Sequence, residues 1–292
     1  MIEPGAATIG FIGTGVMGGP MAGHALDAGY RVIVHTRTPG RAASLIEAGA
    51  EWAESPAALA PHCDAVVTMV GYPTDVEQIY LGRDGLIAHA RPGTYLIDCT
   101  TSSPVLAERI AREADAQGVH ALDAPVTGGD VGAREARLSI MVGGTPMDFA
   151  AVEGLLRVFG ATVVHQGPAG SGQHTKMANQ LAIAASMIGA AEALGYARAA
   201  GLDPGRVLES IGAGSAGSWT LTNLAPRMLA GDLAPGFYVR HFIKDLRIAL
   251  ESAAELGVEL PGAALASHLY EAIAAAGHGD EGTQAIWRLY RD

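Results

Sequence analysis

Ala7-Thr8-Ile9-Gly10-Phe11-Ile12-Gly13-Thr14-Gly15-Val16-Met17-Gly18 decides how this chain is read. Ala7–Ile12 is short and largely apolar, which predicts a buried strand. Gly13-Thr14-Gly15-Val16-Met17-Gly18 follows at once, and an Ala-rich helix is expected from there to Ala28. A G-x-G-x-x-G spacing between strand and helix is the context in which such glycines bind a dinucleotide. Gly13 permits the tight turn, Gly15 lets the backbone approach a pyrophosphate, and Gly18 lets the helix lie close to the strand. The helix N-terminus then faces the anion. Thr14, Val16 and Met17 complete the candidate cofactor-binding loop. A glycine-rich turn that serves packing alone is the alternative.

Working outward, Tyr30–Val34 reads as the second strand and ends in His35-Thr36-Arg37-Thr38. An NAD site usually places a carboxylate here for the ribose hydroxyls, and none is present. Arg37 can hold a 2′-phosphate with two hydrogen bonds and Thr36 can donate another, so NADP(H) is favoured over NAD(H). The alternative is that Arg37 is a solvated loop charge. Asp64–Val70 is a further strand, whose end at Val70-Gly71 would reach the cofactor, since ligands sit beyond the carboxyl ends of such strands. Thr94–Cys99 is the next and runs into Thr100-Thr101-Ser102-Ser103-Pro104. Thr101 is placed near the nicotinamide, although these hydroxyls could equally cap the following helix. Short helices are expected over Arg41–Ala48, Ser55–Ala60 and Asp75–Leu81, and later strands over Leu138–Gly144 and Ala161–His165. Between them, Thr127-Gly128-Gly129 could offer backbone N–H groups to a carboxylate or form an ordinary turn. The alternation predicts a doubly wound, mostly parallel α/β sheet.

Gly167-Pro-Ala-Gly-Ser-Gly-Gln-His-Thr-Lys-Met-Ala-Asn179 is where the pattern changes. A glycine-rich loop passes into a helix expected to reach about Ala200, roughly 30 residues and about 45 Å long. Lys176 and Asn179 lie three residues apart and share a side of it. Its apolar composition suggests burial on several sides, a second subunit among them. Helices follow over Pro204–Ile211, Leu221–Ala230, Phe242–Leu256 and Ala263–Ala276. Lys244 would open the third of these, where a positive charge opposes the helix dipole. That placement hints at an anionic ligand; a surface arrangement of Lys244 with Asp245 is the alternative. Residues 1–166 are expected to form the nucleotide-binding domain and 167–292 an all-helical one.

The chain has 292 residues, is 49% hydrophobic and carries a net charge of −11. Such a composition supports a large core and disfavours nucleic acid and anionic membrane as partners. Cys63 and Cys99 sit beside apolar runs and read as buried thiols, without the spacing of a zinc site, and no metal is expected. Ala7–Ile12 is too short and too closely bounded by Gly for a signal sequence. No apolar run approaches the ~20 residues that span a bilayer. A cytoplasmic protein is expected.

Four motifs in order together resemble the β-hydroxyacid dehydrogenase family. Phe11–Met21 resembles its G-x-G-x-M-G signature, with Thr14 and Val16 in the variable places. Asp123-Ala-Pro-Val-Thr-Gly-Gly129 is similar to its substrate segment, in which Ser is more usual than Thr127. Gly167–Asn179 resembles the catalytic segment, and Lys244-Asp245-Leu246 completes the set. The resemblance spans essentially the whole chain. It implies a Rossmann domain and a helical domain joined by one long helix, in a homodimer or homotetramer built through the helical domain. It further implies Lys176 as acid/base, Asn179 orienting the substrate, Thr127, Gly128 and Gly129 holding its carboxylate, and Lys244 beside nicotinamide and substrate. The expected reaction is reversible hydride transfer between NADP(H) and a short β-hydroxy acid or semialdehyde. Burial and the second cation, Lys244, would both lower the pKa of Lys176 towards neutrality. An imine reductase on the same fold is the enzymatic rival, and Lys176 counts against it. A catalytically silent nucleotide-binding regulator is the other alternative.

Overall fold

The computed structural model describes residues 2–291, and the chain divides into two compact units, Met1–Lys176 and Met177–Asp292. The first holds nine strands among the described residues: β1 Thr8–Ile12, β2 Arg31–His35, β3 Glu51–Trp52, β4 Ala65–Thr68, β5 Tyr95–Asp98, β6 His120–Asp123, β7 Val126–Thr127, β8 Leu138–Gly143 and β9 Gly160–Gly167. Their order is β3-β2-β1-β4-β5-β6-β8-β7, with β9 on β8. Pairing is parallel from β3 through to β6, while β8 runs antiparallel to β6 and β7 and parallel to β9. The direction of strand order reverses between β1 and β4, the switch point at which a doubly wound sheet binds its ligand.

Parallel strands covered by helices on both faces bury every side chain. Ile9, Phe11, Val32, Val34, Val67 and Ile97 accordingly join one cluster, and the alternate residues Ile12, Ile33, Val66 and Leu96 join another. Phe11 meets Phe159 edge to face, with ring centroids 6.4 Å apart. Gly10 has no side chain because α3 comes too close; a Cβ there would lie 2.4 Å from Leu59 Cδ2. The helices of this unit are α1 Gly18–Asp27, α2 Ala43–Glu47, α3 Pro56–Leu59, α4 Pro73–Leu81, α5 Leu86–His89, α6 Pro104–Asp115, α7 Gly129–Arg134 and α8 Pro146–Leu156. Proline starts several of them, because its missing N–H is not needed in the first turn. Ser55 and Ser103 cap α3 and α6. The helix expected over Arg41–Ala48 is instead a 3-10 turn at Pro39–Ala42 followed by the short α2. Strand β3 and helix α5 are too short to leave a periodic signal. Cys63 and Cys99 are buried and free.

Helix α9, Ser171–Ala199, is the long helix foreseen from the sequence, and the division between the units falls within it. The second unit continues with α10 Pro204–Gly212, α11 Ala225–Ala230, α12 Val239–Glu255 and α13 Pro261–Ile273. Phe242 packs edge-on to Tyr270 at 4.9 Å, and the Tyr270 hydroxyl donates to Thr283 O at 2.8 Å. The helix expected from Leu221 begins as a π turn over Thr220–Leu224, next to Pro226, which cannot donate into the preceding turn. Gly277, at φ 92°, interrupts the segment after α13.

Helix α12 corrects an expectation. It starts at Val239 and not at Phe242, because Val239 N and Arg240 N donate to Glu281 O and Gly279 O. Those carbonyls satisfy helix-start donors that would otherwise need a side-chain cap. Lys244 therefore lies in the second turn, and the dipole conflict inferred for it is absent, since that effect fades beyond the first turn. Among the described residues no helix is long and apolar enough to cross a membrane.

Phe159 is fully buried. Phe159→Ala is predicted to lower the unfolding free energy by about 3–5 kcal/mol, read as a lower urea midpoint in far-UV circular dichroism.

Candidate active site

The turn after β1 is shaped by three glycines with three different constraints. Gly13 adopts φ 91°, and a Cβ there would lie 2.2 Å from Met69 O. A Cβ on Gly18 would lie 2.0 Å from Gly13 O, so α1 could not approach β1. A Cβ on Gly15 would meet one neighbour within 4 Å, Arg41 Nη1 at 3.9 Å, so the backbone here is open to a ligand. Thr14 is buried, and its hydroxyl has no hydrogen-bond partner among the described residues. An open glycine turn, an orphaned hydroxyl and a helix N-terminus together fit the phosphates of a dinucleotide. Val16 projects outward, 65% exposed, and Met17 packs against the core beneath.

Thr36, buried at the end of β2, and Arg37 follow Gly13's hydrogen-bond partner, His35 O. Arg37 is largely exposed and pairs with Asp75 at 3.1 Å. Arg41 was not singled out from the sequence; only the 3-10 turn at Pro39–Ala42 carries it back over Gly15. Val70, at the end of the β4 turn, donates its N–H to Thr100 Oγ1 at 3.1 Å. Gly71 adjoins it, and Thr101, half-buried, sits between Thr100 and Ser102 in the turn after β5.

Asp123, the last residue of β6, anchors the start of α9. Its carboxylate accepts from Gly170 N and from Gln173 N, each at 2.8 Å. Burial pushes this carboxyl up, against the pull of its backbone N–H donors. Gly172 fits tightly below, since a Cβ there would lie 2.4 Å from Met141 O and 2.7 Å from Asp123 O. Gln173 is fully buried; its Oε1 accepts from Ser102 N at 2.9 Å and its Nε2 donates to Thr100 O at 2.8 Å. One turn later, Lys176 is 6% exposed and its Nζ donates to Val126 O at 2.9 Å. Val126 precedes Thr127, Gly128 and Gly129, whose glycines take φ 130° and φ 66° at the start of α7. The structure thus brings Lys176 to the Thr127–Gly129 run within the first unit.

In the second unit a buried polar chain joins the other two candidates. Asn179 Nδ2 donates to Gln180 Oε1 at 2.7 Å, and Gln180 Nε2 donates to Asp245 Oδ2 at 2.6 Å. Lys244 Nζ lies 3.0 Å from Asp245 Oδ1. Asp245 and Gln180 are each 1% exposed, so the surface reading of Lys244 and Asp245 does not hold. Burial, then the charges of Lys244 and Arg240, lower the pKa of His241. Gln173, Gln180 and Asp123 had not been proposed as functional, because Thr100 and Ser102, Asp245, and Gly170, which they meet, lie on distant segments.

Known proteins resemble this chain along its whole length. Residues 8–167 match the family model for the NAD-binding domain of 6-phosphogluconate dehydrogenase. Residues 170–290 match the model described as NAD-binding of NADP-dependent 3-hydroxyisobutyrate dehydrogenase. An uncharacterised oxidoreductase of Bacillus subtilis is 54% identical over 97% of this chain and 98% of its own. The 3-hydroxyisobutyrate dehydrogenase of Pseudomonas aeruginosa is 38% identical over 97% of this chain and 98% of its own. The solved structure of Mycobacterium tuberculosis 3-hydroxyisobutyrate dehydrogenase with L-serine superposes with TM-score 0.91, at 30% identity and complete coverage of both chains.

Asp123→Ala leaves the Gly170 and Gln173 amides without their acceptor. Each such loss destabilises a protein by about 1–3 kcal/mol. The predicted outcome is a lower melting temperature, with faster hydrogen exchange at those two amides.

Proposed function

Because the chain belongs to the β-hydroxyacid dehydrogenase family and is an NAD(P)-dependent hydroxyacid dehydrogenase, we propose that it interconverts a short β-hydroxy acid with its semialdehyde, using NADP(H) in preference to NAD(H) and Lys176 as acid/base. The substrate class is that of 3-hydroxyisobutyrate or 2-hydroxy-3-oxopropionate. One observation carries the reading: a buried lysine amine is held by Val126 O at the entrance to a backbone turn of positive φ. Residues 1–166 are assigned to nucleotide binding and 167–292 to the helical domain, through which the chain would associate as a homodimer or homotetramer.

Gly128 and Gly129 take positive φ, the kind of turn from which successive backbone N–H groups can bind a carboxylate; Thr127 adds a hydroxyl. Cofactor binding is assigned to Gly13–Gly18, with Val70, Gly71 and Thr101 at the strand ends beyond. The nicotinamide cofactor supplies the hydride donor or acceptor when bound. Lys176 takes the substrate hydroxyl proton in oxidation and returns it to the carbonyl oxygen in reduction. The Val126 carbonyl orients that amine. Asn179 is assigned to substrate orientation and Lys244 to a place beside the nicotinamide and the substrate. Both are braced by Gln180 and Asp245.

Preference for NADP(H) is supported by the end of β2, which bears Thr36 and Arg37 and no carboxylate. The Arg37–Asp75 pair is no obstacle: the Arg37 side chain is 81% exposed, and a guanidinium in water gains about 0–1 kcal/mol from such a pair, less than from a charged hydrogen bond to phosphate.

Lys176→Ala is predicted to lower kcat by about 10²–10⁴-fold while NADPH still binds, as read by fluorescence titration. An unchanged rate would remove Lys176 from the mechanism. A steady-state screen of 3-hydroxyisobutyrate, serine, glycerate and the corresponding semialdehydes, with succinic semialdehyde and glyoxylate, should give higher kcat/KM with the phosphorylated cofactor. Arg37→Ala should lower kcat/KM for NADP+ roughly tenfold or more and leave NAD+ nearly unaffected. Better turnover of the unmodified protein with NAD+ would contradict the preference.

A further inference from the structure

Gln173 has a role that helix capping does not require. The start of α9 is already held by the Asp123 carboxylate, which takes the backbone N–H of Gly170 and of Gln173 itself. The Gln173 side chain, 0% exposed, reaches instead to the turn after β5. A carboxamide presents a donor and an acceptor side by side. Here the acceptor meets Ser102 N at 2.9 Å and the donor meets Thr100 O at 2.8 Å. These two backbone groups bracket Thr101, so the side chain grips the residue's two neighbours as a paired strand would.

The grip extends in both directions. Thr100 N donates to Asp98 Oδ1 at 3.0 Å, and Thr100 Oγ1 accepts from Val70 N at 3.1 Å. Val70 follows Met69, whose carbonyl lies against Gly13. On the other side Lys176 stands three residues along the same helix, with Nζ on Val126 O. A continuous path of contacts therefore runs from the glycine turn, through the turns after β4 and β5, to the lysine.

We propose that Gln173 is a positioning residue for hydride transfer: its carboxamide locks the turn that carries Thr101 in register with Lys176. The inference rests on Lys176 being the acid/base. Misplacing reacting groups by about 1 Å can lower a rate ~10²-fold, while affinity for NADP+ is assigned chiefly to the Gly13–Gly18 turn and affinity for the acid to Thr127–Gly129.

The test uses the full-length protein with NADP+ and 3-hydroxyisobutyrate, unlabelled and dideuterated at the oxidised carbon. Gln173→Met keeps the length of the side chain and removes both polar ends. It should lower kcat per NADPH-binding site about tenfold or more, with both KM values within about twofold and a larger primary isotope effect, as expected when misplacement slows the chemical step. Gln173→Glu keeps the shape but, when ionised, sets an oxygen against Thr100 O; its kcat should rise as pH falls and the new carboxyl becomes a donor. Neither the unmodified protein nor Gln173→Met should show that rise. Counting sites by NADPH titration separates slow enzyme from unfolded protein. An unchanged kcat per site in Gln173→Met, or a loss carried by KM with an unchanged isotope effect, would overturn the positioning role. Lys176→Ala, assayed alongside, separates the two ideas. Should it turn over normally, or should the unmodified protein turn over none of the acids and semialdehydes of the screen, the proposed function fails and this inference with it. If Lys176→Ala is inactive and Gln173→Met is normal, only the inference fails.

Discussion

Two backbone amides at the start of α9 donate to one buried carboxylate, Asp123, at the end of β6. Each side of this contact needs the other. A carboxylate taken out of water is costly unless hydrogen-bonded, and helix-start amides have no partner within their own helix. The helix dipole favours a negative charge at that end. Gly172 permits the approach, because any side chain there would strike Met141 O and Asp123. Docked in this way, α9 places Gln173 against Thr100 and Ser102 and Lys176 against Val126 O. The same strand end leads on to Val126, Thr127 and the two glycines. A single capping interaction thus sets both the amine and the turn beside it.

The glycine turn contributes a different kind of order. Gly13 and Gly18 are fixed by what a Cβ would strike, whereas Gly15 is defined by the space above it. The first two constraints hold α1 on β1 at the switch point of the sheet; the third leaves that point accessible. The second unit adds a buried chain, Asn179–Gln180–Asp245–Lys244, in which two amides and one carboxylate restrain a lysine that would otherwise sample many rotamers.

Much of this was legible in the sequence because its signals are local. The spacing of Gly13, Gly15 and Gly18 after an apolar run identified the first βα unit, and strand–helix alternation foretold the parallel sheet. The passage from a glycine loop into α9 placed Lys176 and Asn179 on one helix. What escaped depends on distant chain. Asp123 meets its donors 47 and 50 residues away, and nothing near it in sequence marks them. The start of α12 is set by the carbonyls of Gly279 and Glu281, so Lys244 was put at a helix end it does not occupy. Arg41 was read as part of a helix, and a short 3-10 turn carries it instead to Gly15. Asp245 looked like a surface residue beside Lys244, and only tertiary packing shows it buried.

The central claim is that the docked α9 delivers the Lys176 amine to the substrate as acid and base. Chemical rescue tests it most directly. Lys176→Ala would be assayed in the presence of free primary alkylamines of graded basicity. The account predicts that turnover returns in proportion to amine concentration, and that the rescue rate rises with amine pKa once steric size is allowed for, as Brønsted behaviour demands of a proton-transfer group. Turnover that amines fail to restore, or restore without regard to their basicity, would contradict it.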